Sequence, residues 1–554
     1  MRTVRNSLVA IAALLALFAP PASAQSTCTG GTCPAGCVDW SILNVTDFGA
    51  APNDSEDDAP EIQCALDCAA AQPRVCGSST VFIPAGIYYV SQLWPAGPGA
   101  ALKIGSGVTL LGEGPGISIL RPHSDATGGV ILANVNWAVV PTSSNTSIHI
   151  CDITFDGKNY GSYPAKNVMG PVNFAMVQDF SFTRCEFLNS PGTSVVTQQG
   201  SARGVFQDCV ARDNGSIGFY AQSRKDQTPE DTHPPEDLVY VGCVARNNGG
   251  NGFGVSDGDR VTFVGCVSEG NGTQGFAVDG SRDVSYVDCI ARDNLWFGFG
   301  VWYTSNWSGA RPQHTTYTAC IAEANGLLGW AAYRHSGLTL VACQALGNGW
   351  DARNPPPQIP PNGVNRSPED WGHGVFVSGV DTASDSRMER YSIVGGTVAD
   401  NFGHGIYSKS SFYGTIAGVV IKNNSQGGGG VLPTWACLQC NNDQEVWGCQ
   451  FWAHPCDGVR LERFQGLPPD YKVAITRRVL ISGCEITDDQ ATKTQNYAIY
   501  AKDGECEASH AFFNNVRGNV VSGQDCPADP YDCPIQLPLD GEHADNPGNE
   551  DWCS

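Results

Sequence analysis

The sequence predicts an all-β chain wound as a single-stranded right-handed parallel β-helix, with a helical cap at its N-terminal end and a cysteine-containing cap at the other. Three marks recur in one register through the middle third. Cys243, Cys266 and Cys289 are 23 residues apart, as are Cys320 and Cys343. An asparagine follows five residues after each cysteine, at Asn214, Asn248, Asn271, Asn294, Asn325 and Asn348. A glycine follows nine after it, usually with an aromatic: Gly218-Phe219, Gly252-Phe253, Gly275-Phe276, Gly298-Phe299 and Gly329-Trp330. A fixed period of this length is the signature of a solenoid, in which each repeat contacts only its neighbours and one domain can grow long.

Each unit carries a β-rich run such as Arg260–Val264, a turn at Asn-Gly, then a second run such as Gly275–Val278. Gly and Asn tolerate the positive φ of tight corners. Strands of successive coils then stack about 4.8 Å apart. The predicted interior is a cysteine column, an asparagine corner and an aromatic stack. Alternation along the strand sends Gln222, Ser256, Asp279, Trp302 and Tyr333 outward. Cys151 and Cys185 extend the pattern upstream; Gly374-Val375, Gly405-Ile406 and Cys484 extend it downstream. Open coil ends need covers, and 57–68 reads as a short amphipathic capping helix.

The expected organisation is a signal peptide over 1–24, a Cys-rich segment over 25–43, the β-helix over 44–502 and a Cys-containing cap over 503–554. Arg2 and Arg5, the apolar run 8–18 and Ala22-Ser23-Ala24 have the order of an export signal. The apolar run is too short for a membrane span. The chain is therefore expected to be secreted, with no membrane partner and as a monomer. Cleavage would take the formal charge from -23 to -25. So acidic a surface argues against nucleic acid as a partner, which needs clustered Lys and Arg.

The 23 cysteines divide by position. Those on the coils suit a buried free ladder, since Cys packs as a small apolar side chain. Those near the two ends, Cys449 and Cys456 among them, suit disulfides of an exported protein. Cys437-Leu438-Gln439-Cys440 resembles half a zinc site without a matching second pair.

Asn44-Val45-Thr46-Asp47-Phe48-Gly49-Ala50, with Asp57-Asp58, Glu61–Leu66, Val81–Tyr88 and Val108–Gly114, resembles the opening of pectate-lyase-superfamily proteins. Rhamnogalacturonase-like and polygalacturonase-like hydrolases and mannuronan C5-epimerases share this entry. The resemblance covers roughly 44–425 and implies the pectin-lyase-like β-helix. It also implies that the entry motifs build the first coils. The order of parts, with Phe155-Asp156-Gly157 ahead of the Asn-Gly coils, is most similar to the epimerase module. That family carries its catalytic Asp and His on a Gly-Phe-Asp-Pro-His-Glu segment. Here the corresponding stretch is 194–199, with Val196 in place of the Asp and Gln198 in place of the His. Neither can transfer a proton, so the epimerase motif is missing. Gly372-His373-Gly374 and Gly403-His404-Gly405 are similar to a polygalacturonase element, but the aspartate pair that precedes it there is absent.

The outward column after the second strand collects the candidate chemistry. Asp257 and Asp279 lie on neighbouring coils and suit the paired carboxylates of glycoside hydrolysis, about 5.5–9.5 Å apart. Asp-Gly pairs are also ordinary turn formers. Arg334 and His335 would serve a β-elimination, as cation and base. Gln222, Arg224, Trp302, Tyr303, Tyr333, Trp350 and Trp371 would bind sugar, beside insertions that wall a groove. No cofactor is required; calcium suits a lyase, although no loop carries a calcium signature. The sequence therefore predicts a secreted carbohydrate-active hydrolase or lyase of a polysaccharide, with uronate-containing chains among the candidate substrates. A non-catalytic glycan-binding β-helix and an epimerase with a diverged site are the alternatives.

Overall fold

In the computed structural model one 23-residue coil holds three strands: Asp259–Val264, Val267–Glu269 and Phe276–Asp279. The structure describes residues 42–424 apart from 72–78, 92–99, 125–129, 138–143, 159–169, 224–233, 303–312, 350–371, 379–387 and 410, and beyond them short strand segments between 436 and 518. The three-residue strand escapes the sequence reading because it is too short to show alternation. Each strand pairs in parallel with its equivalent one coil on, as in Val267↔Ile290 and Phe276↔Phe299. The result, among the described residues, is three parallel sheets of 18, 15 and 14 strands, here called sheets 1, 2 and 3 in chain order. The coils do not stop at 502: His510–Phe512 and Asn515–Gly518 still pair with the preceding coil.

The corners explain the repeat. A left-handed residue precedes each ladder cysteine (Asp208, Gly242, Gly265, Asp288) and each ladder asparagine (Asp213, Asn247, Gly270, Asp293). Asn-Gly corner glycines such as Gly272 are not left-handed, so the expected role in positive φ is corrected there, and neither is the glycine nine after the cysteine. It is there for close approach. A Cβ on Gly275 would sit 2.6 Å from the carbonyl oxygen of Gly298 and 2.8 Å from Asn294 Nδ2. Gly218, Gly252, Gly298 and Gly329 meet the next coil in the same way.

The asparagines form one continuous ladder. Asn271 Nδ2 donates to Asn294 Oδ1 at 2.9 Å, and Asn294 Nδ2 to Asn325 Oδ1 at 3.0 Å. Each amide also donates to a carbonyl one coil back, Asn294 to Ser268 O at 3.2 Å. Each Oδ1 accepts a backbone N–H as well, from Asn271 N at 3.2 Å in that step. These buried corners thus leave no amide atom unpaired, as a buried polar group requires. The ladder continues past the predicted six to Asn401 and Asn424.

Two aromatic stacks fill the bore. Phe219, Phe253, Phe276, Phe299 and Trp330 stack with centroids 4.8–5.0 Å apart, as expected. Sheet 1 adds a second column, Phe182, Phe206, Tyr240, Phe263, Tyr286 and Tyr317, at 4.7–5.0 Å. The coil cysteines are free, as expected. Sγ of Cys209, Cys243 and Cys266 each lies 3.4 Å from a carbonyl oxygen of the previous coil. Two assignments are corrected. Cys151 pairs with Thr183 on a sheet 1 strand and is half-buried, and Ile153 takes the column position. Cys449 is not an end-group cysteine; it is free and buried on a coil. The remaining end-group cysteines lie outside the described residues or on strands whose side chains do, except Cys64 and Cys68, buried on the cap helix.

That helix, Ala59–Ala71, covers the open end. Gln63 acts as a substitute strand for the edge of sheet 3: its Oε1 accepts from Lys103 N at 2.7 Å and its Nε2 donates to Lys103 O at 2.9 Å. The Asp58 carboxylate accepts from Ala51 N and Tyr89 N at 2.8 and 3.2 Å. The entry motif is therefore structural.

On the ridge before sheet 1, Asp179, Arg203, Asp237, Arg260, Asp283 and His314 occupy one left-handed position on successive coils. Their charges alternate, with contacts of 2.6 Å for Arg203–Asp179 and Arg260–Asp237 and 3.0 Å for His314–Asp283.

Two glycines separate close approach from backbone freedom. Gly275→Ala is expected to destabilise by about 1–3 kcal/mol or more through overpacking. Gly265→Ala should cost less, because nothing lies within 4 Å of its added Cβ and Ala342 already holds the equivalent left-handed position. Thermal unfolding of both variants checks this; equal losses would refute the close-approach role.

Candidate functional site

The outer face of sheet 3 divides into three stretches. Upstream, Ala100, Val130, Ala133, Trp137 and Ala175 form an apolar cluster outside the bore. Downstream, Phe297, Leu327, Leu328, Ala331, Tyr333, Phe376 and Tyr407 form another. Between them the face is polar. Gln198, Gln222, Ser256 and Asp279 stand in register on four successive coils, and the column beside them runs from Asn173 through the apolar Val196 to Tyr220.

Tyr220 organises the middle of this stretch. Its ring lies against the next coil: a Cβ on Gly254 would meet Tyr220 Cδ2 at 3.0 Å. The phenol oxygen reaches Ser256 Oγ at 3.1 Å. Burial, with Asp279 and Asp257 nearby, pushes the phenol up to about 12. Tyr220 is therefore protonated at neutral pH. Its signal in the sequence is a contrast between coils: the corresponding residues downstream are Gly254, Ala277, Gly300 and Ala331, so Tyr220 is the bulky residue at the edge of a row of small ones.

Asp257 and Asp279 do come together. Asp257 N donates to the Asp279 carbonyl at 2.7 Å, and Asp257 Oδ2 accepts from Ser223 Oγ at 3.3 Å. Asp257 is 9% exposed and Asp279 half-buried. Asp257 is also a turn residue, at φ 52°, in the corner position that Gly280 and Arg334 fill on later coils.

His335 is corrected: it does not face outward. It is fully buried, with Nε2 2.8 Å from Thr315 Oγ1 and Nδ1 unpartnered. The cause is the left-handed Arg334, φ 51°, which interrupts the strand alternation and turns the next side chain into the bore. Tyr333 is outside the bore but only 8% exposed, edge-on to Phe376 at 5.2 Å, so it is no open platform. Gln222 and Arg334 are half-buried. Trp302 pairs with Asp279, but its side chain lies outside the described residues, as do Arg224, Tyr303, Trp350, Trp371 and most of the predicted insertions. His373 and His404 pack together at 4.9 Å, buried beside Tyr407, and His373 Nδ1 accepts from His404 N at 2.9 Å. Among the described residues no group of three or more His, Cys, Asp or Glu could hold a metal, and no helix is long and apolar enough to cross a membrane.

Three parallel sheets around an asparagine-laddered bore, closed at one end by a helix, define a parallel β-helix protein. Residues 42–292 match the family model for rhamnogalacturonase A/epimerase, pectate lyase-like proteins. The chain is 31% identical over 185 residues to mannuronan C5-epimerase AlgE1 of Azotobacter vinelandii, covering 32% of this chain and 12% of that protein. It is 30% identical over 195 residues to alginate lyase 7 of the same organism, covering 32% and 20%. The matched stretch is thus a minor part of either relative. Among solved structures, the A-module of Azotobacter vinelandii mannuronan C-5 epimerase AlgE4 aligns at 18% identity and a TM-score of 0.45, over 86% of this chain and 96% of that one.

Burial drives the His335 imidazole down to about 3, below the ordinary value near 6.5. Between these values the unfolded chain takes up a proton that the native state refuses. Stability therefore falls as pH drops through that window. His335→Gln is expected to flatten the fall in thermal midpoint between neutral and mildly acid pH. An unchanged profile would show that His335 is not held neutral.

Proposed function

We propose that this protein is a polysaccharide-acting enzyme that binds its substrate along the outer face of sheet 3, and that Asp257 and Asp279 run a glycoside hydrolysis there. One observation carries the reading: two carboxylates on adjacent coils share a polar stretch with a protonated tyrosine, flanked on both sides by apolar surface. Hydrolysis needs one carboxyl group to protonate the departing oxygen and another to activate water or attack the sugar. Tyr220 adds a fixed donor beside them, which can hold a sugar hydroxyl or a developing negative charge.

Elimination from a uronate chain is the second reading, favoured by the similarity to mannuronan epimerases and an alginate lyase. It has less support at this site. Val196 and Gln198 cannot transfer a proton, and Tyr220 holds its own too tightly to act as a base near neutral pH. Calcium belongs to this reading, since it would neutralise the uronate carboxylate. Export, a monomeric state and the groove-walling insertions around Arg224, Tyr303, Trp350 and Trp371 complete the proposal.

Incubation with neutral, pectic and alginate polysaccharides tests it. New reducing ends without ultraviolet absorbance are expected, with calcium chelation having no effect. Asp257→Asn and Asp279→Asn should each lower kcat by at least about a hundredfold, the range for loss of an acid–base group; Tyr220→Phe should cost less. Unsaturated, absorbing ends would replace hydrolysis by elimination. Product formation unchanged in both aspartate variants would remove the pair from the mechanism.

A further inference from the structure

The polar stretch does not end at the carboxylates. Upstream it becomes a cluster of amides. Gln198 Nε2 donates to Asn173 Oδ1 at 2.9 Å, and Gln198 is the in-register neighbour of Gln222. Asn173 and Gln198 are 0% and 2% exposed. Among the described residues two buried polar atoms of these coils have no partner: the donor Asn173 Nδ2 and, at the left-handed corner after the strand, the acceptor Gln199 Oε1. Leaving such atoms unpaired costs about 1–3 kcal/mol each, so the cluster calls for a ligand that both accepts and donates.

We infer that Asn173, Gln198 and Gln222 form a subsite for a neutral sugar, and that the polysaccharide is uncharged where it crosses this face. The proposal rests on the reading of Asp257 and Asp279 as the reacting pair and names the substrate class for it. A sugar hydroxyl supplies one donor and two acceptor lone pairs, which matches an unpaired amide donor on one coil and an unpaired amide acceptor at the corner of the next. A uronate carboxylate offers acceptors alone. It would also approach Asp257 and Asp279 with like charge. Among the described residues of this face, which do not include Arg224, no Lys or Arg stands between Asn173 and Asp279, and Arg282, three residues past Asp279, contacts Asp259 at 3.5 Å. The arginines of the adjoining ridge are already engaged, Arg203 by Asp179 and Arg260 by Asp237. Arg334 stands in the corner column two coils past Gly280, on the far side of the carboxylates.

The test is calorimetric titration of the full-length protein with neutral oligosaccharides (glucan, mannan, xylan) and with oligouronates, at low and high salt. Neutral ligands should bind with little salt dependence. Gln222→Leu, at the half-buried end, should weaken them about tenfold, as for one lost hydrogen bond, and Gln198→Leu by at least as much. Gln222→Asn should recover part of the loss. Asp257→Asn should keep the affinity and lose the product. Preferential, salt-sensitive binding of oligouronates, or neutral binding unaffected by either glutamine variant in a protein with a wild-type thermal midpoint, would overturn the neutral subsite. If oligouronates were bound and cleaved, the enzyme reading would survive without it. If neutral sugars bound and no product formed with any substrate, the subsite would survive and the enzyme reading would fail.

Discussion

Backbone contact between successive coils at the asparagine corner is the constraint on which the rest depends. Each asparagine amide joins its neighbour's side chain, a carbonyl one coil back and a backbone N–H. A few residues on, a glycine lets the next coil's carbonyl come within the space of a methyl group. Hydrogen bonding and sterics thus act on the same rise. Together they fix which residue of each coil begins sheet 3, and so which side chains enter the bore. The aromatic stacks fill that bore and stabilise it, but they follow the register and do not set it.

The site inherits its geometry from this register. Side chains on one outer column are separated by the coil spacing, and a residue can act on its neighbour only if the neighbour is small or polar. Tyr220 shows the rule. Its ring lies flat because Gly254 has no side chain, and its phenol finds Ser256 because strand alternation returns that residue to the same face. Apolar clusters on either side confine the polar stretch to the coils from Asn173 to Asp279. Where the resemblance to mannuronan epimerases implies an acid and a base, this chain has Val196 and Gln198, and Tyr220, Asp257 and Asp279 follow one, two and three coils on.

Much of this was legible in the sequence. The ladder asparagines, the first aromatic stack and the coil cysteine column follow from a period repeated often enough to be read without structure, and the capping helix follows from an amphipathic run at an open coil end. The errors have local causes. Cys151 has the right residue type at the wrong place in its coil, and a single cysteine cannot reveal that. His335 was placed outward by counting alternation through Arg334, whose left-handed backbone resets the count. The second aromatic stack mixes Phe and Tyr in sheet 1 and shows no glycine beside it. Tyr220 escaped because its importance lies in the absence of a side chain at Gly254, a relation between coils that no single coil contains. Asp257 and Asp279 are legible because each precedes a glycine on adjacent coils, although they stand one register position apart, Asp279 opposite Ser256 and Asp257 opposite Gly280.

The alternating ridge from Asp179 to His314 bears on how such a protein can change length. Loss or duplication of one coil would leave both aromatic stacks and the asparagine ladder intact, since their units are interchangeable. On the ridge the units are not interchangeable. Removing one coil would bring Arg203 beside Arg260, or Asp237 beside Asp283, and an exposed attraction would become a repulsion of similar modest size. Removing two restores the alternation. The ridge therefore gives the helix a parity that its core lacks, and it favours growth or shortening by pairs of coils.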